Sequence, residues 1–100
     1  MRIEILYFDG CPHFPATRDL LRAIVREERV QAEVTEIEVK DASAVQRLQF
    51  IGSPTIRING LDIQADARNV AGVGLACRRY PNGLPSEAMI RAALKEARER

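Results

Sequence analysis

The sequence lacks tryptophan, and its aromatic residues are only two tyrosines and three phenylalanines among 100 residues. An aromatic surface of the kind that stacks on nucleic-acid bases is therefore not expected. An excess of one charge is also lacking, because 15 basic and 14 acidic side chains give a formal net charge of +1. Without such an excess, nothing draws the chain to nucleic acid or to an anionic membrane. We therefore expect neither nucleic-acid nor membrane partners.

Long apolar runs and signal-peptide features are also missing. No run approaches the roughly 20 apolar residues of a membrane-spanning helix, and Met1–Glu4 does not begin the apolar segment of a signal peptide. We therefore expect a cytoplasmic protein. Its 100 residues suffice for one domain, 1–100, and leave no room for a second core. Because the cytoplasm is reducing, the two cysteines are expected to be free, catalytic or metal-binding.

Hydrophobic periodicity in the first half of the chain predicts two strands and two helices. The almost continuous apolar run 3–8 predicts a central strand, and apolar positions at helical spacing over 14–29 predict an amphipathic helix. Alternation over 33–40 predicts an edge strand covered on one face. Asp41 is a suitable N-cap for a short helix that ends near Gln49.

The second half of the chain predicts a hairpin and a final helix. Asn59-Gly60 favours a type I′ turn between two strands within 55–63. Segment 66–84 is longer than an ordinary connection and is expected to be a functional loop, and a helix is expected to open at Pro85. With a right-handed crossover between the first two strands, the predicted fold is α/β, a four-stranded mixed sheet with helices on both faces.

The element order βαβαββα resembles the thioredoxin fold. Cys11-Pro12 comes just after the first strand, and Ser53-Pro54-Thr55 comes just before the third. The resemblance spans nearly the whole chain in element order, and the chain is similar to small bacterial thioredoxin- and glutaredoxin-like proteins. It implies a thioredoxin-like sheet and a nucleophilic Cys11. It also implies that Pro54 is a cis-proline facing this thiol, with Ser53 and Thr55 beside it as substrate contacts.

The motif at residues 11–14 departs from that family in one position. Cys11-Pro12-His13 is similar to the start of the Cys-Pro-His-Cys motif of Dsb-type disulfide oxidases, but Phe14 stands where the second cysteine would be. A dithiol cycle within this one loop is therefore not available. We expect Phe14 to pack over the thiol or into the core.

Local features favour the thiolate form of Cys11, which is the form that attacks disulfides and binds soft metals. Backbone N–H groups at a helix N-terminus favour an anion, Pro12 suits a first helical position, and a protonated His13 would add a nearby cation. Asp9 opposes this effect, and Pro15 would interrupt a helix beginning at Pro12, so the alternative is a helix start two or three residues later. We expect an uncovered, reactive thiol; the alternative is a small buried hydrophobic residue.

Cys77, in the segment after the hairpin, is expected to return to the same end of the sheet as Cys11. It would then act as a resolving thiol, provided that the two Cα atoms approach within about 7 Å; the alternative is that Cys77 packs beneath the loop. Arg78 is a candidate to bind the anionic end of a small thiol or to stabilise a thiolate. The alternative is that Arg78 and Arg79 form a solvated pair.

Three functions agree with these residues. The first is thiol–disulfide exchange at Cys11, resolved by Cys77 or an external thiol, with protein or small-molecule thiols and disulfides as partners. The second is capture of a soft metal ion such as Hg²⁺ by the two thiolates, with an oxygen ligand from Asp9; the spacing is not that of a standard zinc site. The third is a non-catalytic thioredoxin-like module that binds a partner or forms a homodimer. We predict the first, with no cofactor and no resident metal, and the sequence leaves open whether the protein is an enzyme.

Overall fold

A computed structural model describes residues 1–69, 72, 74–81 and 83–99. Within these residues the chain forms a mixed α/β structure with four strands and three α-helices. A short 3₁₀ helix, Ala65–Ala67, follows the last strand. The elements in chain order are β1 (Arg2–Tyr7), α1 (Phe14–Glu27), β2 (Glu33–Glu38), α2 (Ala42–Leu48), β3 (Thr55–Ile58), β4 (Leu61–Asp62) and α3 (Glu87–Arg98). The predicted order of elements is therefore confirmed.

The four strands form one sheet in the order β2-β1-β3-β4. β1 pairs in parallel with β2 and antiparallel with β3, and β3 pairs antiparallel with β4. The hairpin thus lies on the opposite side of β1 from β2, as the sequence predicted. This register sets Leu6 opposite Thr55, so the carboxyl end of β1 and the start of β3 lie at the same end of the sheet.

The turn between β3 and β4 has the backbone that its sequence predicts. Asn59 and Gly60 both have positive φ, 51° and 85°, which a type I′ turn requires at its two central positions. The side-chain oxygen of Asn59 also accepts a hydrogen bond from the Arg2 N–H at 2.9 Å, which ties the turn to β1.

Both faces of the sheet are covered, because successive strand residues point to opposite sides. The larger hydrophobic cluster lies between the sheet and the helices α1 and α3; its fully buried members include Ile3, Ile5, Leu21, Ile24, Ile56, Ile90 and Leu94. The smaller cluster joins the other face to α2 and the residues beside it; it contains Leu6, Val39, Ala44, Val45 and Phe50.

The edge strand β2 differs from its prediction in one respect. One covered face was expected, whereas Val34 packs against the larger cluster and Ile37 against the smaller. The physical reason is that helices lie on both sides of the sheet, so each face of its edge has apolar neighbours. The strand nevertheless lies at the edge, as predicted.

The helix starts locate the functional residues. The Asp41 carboxylate accepts a hydrogen bond from the Ala44 N–H at 2.8 Å, which confirms Asp41 as the N-cap of α2. α1 begins at Phe14, with His13 as its N-cap residue. Pro12 is therefore not the first helical residue, and the later of the two predicted starts is the one observed.

Within the described part of the chain, no helix has the length and apolar character needed to span a membrane.

Candidate functional site at one end of the sheet

Three segments meet where β1 ends and β3 begins. The turn that carries Cys11 follows β1, and Ser53-Pro54 immediately precedes β3. Cys77 lies beside this second segment, because its backbone forms a parallel bridge with Ser53. The topology therefore places both cysteines at the same end of the sheet, as the sequence predicted.

Cys11 begins a tight turn that connects β1 to α1. Its N–H donates to the Phe8 carbonyl at 3.2 Å, and its own carbonyl accepts from the Phe14 N–H at 3.3 Å. Pro12 therefore occupies the second position of a four-residue turn, where its fixed φ is suitable. Pro12 is exposed and His13 is half-buried. The predicted role of Pro12 in the helix is thus replaced by a role in the turn that precedes it.

The Cys11 side chain is a free thiol that is only 6% exposed. It belongs to the larger hydrophobic cluster, together with Phe14. The expectation of an uncovered sulfur atom is therefore wrong. The physical reason is that the turn brings the Phe14 ring back against Tyr7 at the end of β1, so the thiol and the ring are buried in the same cluster.

Phe14 forms an aromatic stack at this end of the sheet. Its ring lies 3.7 Å from that of Tyr7 between centroids, at an interplanar angle of 7°, and the Arg18 guanidinium carbon lies 5.5 Å from the Phe14 centroid. Phe14 is itself nearly buried, which confirms the expectation that it packs into the core. Partial burial, and then the charges of Glu38 and other nearby carboxylates, raise the pKa of Tyr7 above its usual range.

The Ser53-Pro54 peptide bond is cis, as predicted. The side chains of Ser53 and Thr55 are both completely buried. The Thr55 hydroxyl donates to the Gly52 carbonyl at 2.6 Å, whereas the Ser53 hydroxyl has no hydrogen-bond partner among the described residues. These two side chains therefore do not reach a substrate at the surface. The prediction that they contact substrate is corrected, because the residues that follow the hairpin cover this loop.

Residues 74–80, called the covering segment below, lie over the Ser53-Pro54 loop and include Cys77. The Ser53 N–H donates to the Ala76 carbonyl, and the Arg78 N–H donates to the Ser53 carbonyl, both at 2.9 Å. Cys77 lies between these two bonds with its thiol free and exposed. The alternative that Cys77 packs beneath the loop is therefore wrong. Its pairing with Cys11 remains a prediction.

Arg78 is buried and makes an ion pair with Asp62. Its guanidinium donates to both carboxylate oxygens of Asp62, at 2.6 and 2.8 Å, and also to Gln64 Oε1 at 2.6 Å and Thr55 Oγ1 at 3.2 Å. Burial acts to lower the pKa of Arg78, but the hydrogen bond and charge of Asp62 outweigh it and raise the pKa above its usual value. Arg78 is therefore neither solvated nor free to bind an anionic substrate, which corrects both interpretations of this residue. Arg79, beside it, is exposed.

Asp62 is the functional neighbour that the sequence analysis missed. It lies in β4 between two apolar residues, Leu61 and Ile63, and is 6% exposed. A carboxylate flanked by apolar residues in a short strand was the available signal, because such a group needs a cation if the hairpin is covered. The position of that cation, Arg78, could not be read from a local pattern.

Tyr80 connects the same cluster to the cis-proline. Its hydroxyl donates to the Pro54 carbonyl at 2.7 Å, and the Arg78 guanidinium carbon lies 4.7 Å from its ring centroid. Tyr80 is 4% exposed. Burial raises the pKa of the Tyr80 phenol above its ordinary value of 10.0, although the positive charge of Arg78 acts in the opposite direction.

Ionisation of Tyr80 is expected to make the protein less stable at high pH. Below pH 10.0, its ordinary pKa, the phenol is protonated in both the folded and the unfolded chain, so its stabilising effect is complete. Above that pH the unfolded chain loses the proton while the folded chain keeps it. The free energy of unfolding should then fall by about 1.4 kcal/mol per pH unit for this one group.

Denaturant unfolding at a series of pH values tests this, with Tyr80→Phe as the matched variant. The variant loses one hydrogen bond, so it should be about 1 kcal/mol less stable than the wild type at neutral pH. Its stability should then decline less steeply above pH 10.0, because phenylalanine has no phenol whose pKa is raised on folding. Equal slopes for the two proteins would contradict the prediction.

The last predicted site residue, Asp9, lies in a surface groove. Asp9 is exposed and lines an open groove of about 460 Å³ beside the Cys11 turn. The other residues of this groove are Phe8, Glu38, Val39, Lys40 and Leu75. Leu75 is 50% exposed and belongs to the same covering segment as Cys77. This groove therefore offers acidic, basic and apolar side chains to a ligand.

Across residues 1–69, 72, 74–81 and 83–99, no group of three or more His, Cys, Asp or Glu side chains is arranged to hold a metal ion. No protein-family model matches the chain, and no match was found among curated proteins.

Proposed function

We propose that the protein has a thioredoxin-like fold and carries out thiol–disulfide exchange, with Cys11 as the attacking thiol. Cys77 or an external thiol resolves the mixed disulfide that forms. The observation that carries this proposal is that two free thiols lie in segments at the same end of the sheet, Cys11 in the turn after β1 and Cys77 beside Ser53. The partners are protein or small-molecule thiols and disulfides.

The exchange proceeds in two steps. First, the Cys11 thiolate attacks one sulfur of a disulfide R–S–S–R, the S–S bond breaks, and R–S⁻ leaves with the electron pair. Second, the Cys77 thiolate attacks the Cys11 sulfur of the mixed disulfide, a Cys11–Cys77 disulfide forms, and the second R–S⁻ leaves. When an external thiolate R′–S⁻ resolves the mixed disulfide instead, it attacks the sulfur of the R group, R–S–S–R′ forms, and the Cys11 thiolate is released. Each attacking thiol gives its proton to solvent. By the Cys77 route, the net result is reduction of one disulfide and oxidation of two protein thiols.

Burial of Cys11 determines how a substrate reaches it. The thiol is buried in the larger hydrophobic cluster, together with Phe14, the last residue of the turn. A small disulfide therefore enters only when the turn opens, whereas the exposed thiol of Cys77 is accessible throughout. The burial of Cys11 therefore makes its attack the slow step, and the second step, at the exposed Cys77, is expected to be faster.

Treatment with oxidised glutathione, followed by mass spectrometry of each cysteine, tests the proposal. In Cys77→Ser, glutathione should accumulate on Cys11, because the internal resolving thiol is absent. In the wild type, this adduct should be short-lived and should give way to an intramolecular disulfide. Cys11→Ser should form no intramolecular disulfide, although Cys77 should still acquire glutathione.

Two outcomes would contradict the proposal. One is a Cys11 thiol that stays unmodified in native Cys77→Ser but reacts after denaturation. The other is stoichiometric Hg²⁺ binding that each Cys→Ser variant loses, without any disulfide exchange. This second result would favour soft-metal capture by the two thiolates.

A further inference from the structure

We infer that Arg78 and Asp62 form a buried clamp that positions Cys77 to resolve the mixed disulfide on Cys11. This inference deepens the proposed function and depends on it for the chemical step. Arg78 contacts no substrate, so it is a positioning residue. The clamp is the set of contacts that Arg78 makes with Asp62, Gln64 and Thr55.

The clamp joins the segment that carries Cys77 to the sheet. Asp62 belongs to β4 and Thr55 begins β3, whereas Arg78 comes directly after Cys77. The side chains of Arg78 and Asp62 are only 7% and 6% exposed, and the two make a bidentate pair. Because the planar guanidinium fits the two carboxylate oxygens in one geometry, it fixes direction as well as distance.

The backbone next to the clamp is held equally closely. Gly52 lies so near the covering segment that a Cβ atom on it would be 2.9 Å from the Arg78 Cβ. The Arg78 N–H and the Ala76 carbonyl both bond to Ser53. On the far side, the Tyr80 hydroxyl donates to the Pro54 carbonyl. Cys77 is therefore an exposed thiol on a segment that is fixed on both sides.

A buried ion pair is better suited to fixing a position than to adding stability. Removing two charges from water costs several kcal/mol, and well-packed apolar residues often stabilise a protein as much or more. An ion pair with four acceptors, however, has few alternative arrangements that satisfy every group. The pair thus selects one placement of Cys77 beside Ser53 and Pro54.

The step that benefits is the second one. The Cys77 thiolate attacks the Cys11–S–S–R bond, a Cys11–Cys77 disulfide forms, and R–S⁻ leaves with the electron pair while the Cys77 proton goes to solvent. Its rate depends on the effective concentration of Cys77 at Cys11, and a displacement of about 1 Å can lower such a rate by up to about 100-fold. The first step does not involve Cys77 and should not depend on the clamp.

Arg78→Lys tests the inference, because lysine keeps the charge but lacks the fork of donors. Arg79→Lys is the matched control, since Arg79 is adjacent and exposed. With oxidised glutathione as the probe, Arg78→Lys should lower the rate of resolution about 10- to 100-fold. The rate at which Cys11 acquires glutathione, measured with Cys77→Ser also present, should stay unchanged. Arg79→Lys should leave both rates at the wild-type value.

Amide hydrogen exchange gives a readout that does not depend on the chemistry. The N–H groups of Ser53 and residue 78 bond across the two segments, so both should lose protection in Arg78→Lys and keep it in Arg79→Lys. If Arg78→Lys does not fold, Gln64→Leu replaces it; it removes one of the four acceptors of the clamp and should weaken the same protection to a smaller degree.

The outcomes separate the two proposals. Folded Arg78→Lys with wild-type resolution and protection would overturn the clamp, as would equal losses in Arg79→Lys. Failure of Cys77→Ser to acquire glutathione on Cys11 would overturn the proposed function instead. In that case amide exchange alone decides on the clamp, and unchanged protection at Ser53 and residue 78 would overturn it.

Discussion

Replacing Asp62 with asparagine is expected to lower the free energy of unfolding by about 3–5 kcal/mol, one of the largest effects of any single change in this chain. Asparagine has nearly the same shape but no charge, and its amide group would direct N–H donors at the Arg78 guanidinium. The Arg78 side chain is only 7% exposed, so water cannot replace the lost carboxylate. An uncompensated charge would therefore remain buried beside β4.

Thermal and denaturant unfolding measure this effect. For a domain of this size, each kcal/mol corresponds to about 4–8 °C in Tm, so the loss should be at least about 12 °C. Asp66→Asn is the matched control, because Asp66 is an exposed carboxylate close by in sequence and should change stability by no more than about 0.5 kcal/mol.

The double variant Asp62→Leu with Arg78→Met separates a missing partner from a missing interaction. It removes both charges, so no buried charge is left unpaired, and most of the stability lost in Asp62→Asn should return. If the double variant is no more stable than Asp62→Asn, the loss does not come from an uncompensated guanidinium. The double variant should still lack the positional effect on Cys77.

Most of the fold could be predicted because it depends on short-range patterns. Asn59-Gly60 defines its turn by the positive φ of both residues, and Asp41 caps its helix through a bond three residues away. The apolar run of β1 and the stripe of α1 indicate their own burial. Each of these signals is contained within a few residues, so the sequence displays it directly.

The site was harder to predict because its contacts join distant residues. Asp62 and Arg78 are 16 positions apart, and the backbone bonds between Ser53 and the Cys77 segment cross an even longer interval. The burial of Cys11 was also opposite to expectation. Cys11 is buried in the same hydrophobic cluster as Phe14, whereas Cys77 is exposed and its neighbour Arg78 is buried. The second result does not follow from residue type, since cysteine is usually buried and arginine usually exposed.

Gly52→Ala is the second change with a large expected effect, at about 3 kcal/mol or more. Gly52 has φ +135°, a conformation that residues with a side chain rarely adopt. The added methyl would also lie 2.9 Å from the Arg78 Cβ and 3.2 Å from the Ala76 carbonyl oxygen. Neither contact can be relieved by rotating a flexible side chain, so the covering segment must move away from Ser53.

Gly10→Ala is the matched control for backbone strain. Gly10 also has positive φ, 85°, but no described atom lies within 4 Å of its added methyl. The free energy of unfolding of Gly10→Ala should therefore fall only by the cost of the positive φ, about 1 kcal/mol. Chemical denaturation of the three proteins gives the comparison. The difference between the two variants isolates the contact with the covering segment, and similar losses for both would show that the segment does not press against Gly52.

Gly52→Ala should also alter the chemistry in a specific way. Displacement of the covering segment moves Cys77 without changing the turn that holds Cys11, because Cys11 bonds to Phe8 and Phe14 instead. Glutathione should therefore add to Cys11 at the wild-type rate, whereas resolution by Cys77 should slow as it does in Arg78→Lys. Rapid resolution in a folded Gly52→Ala protein would mean that Cys77 reaches Cys11 from a loose segment, and the close packing against Gly52 would then have no part in the exchange.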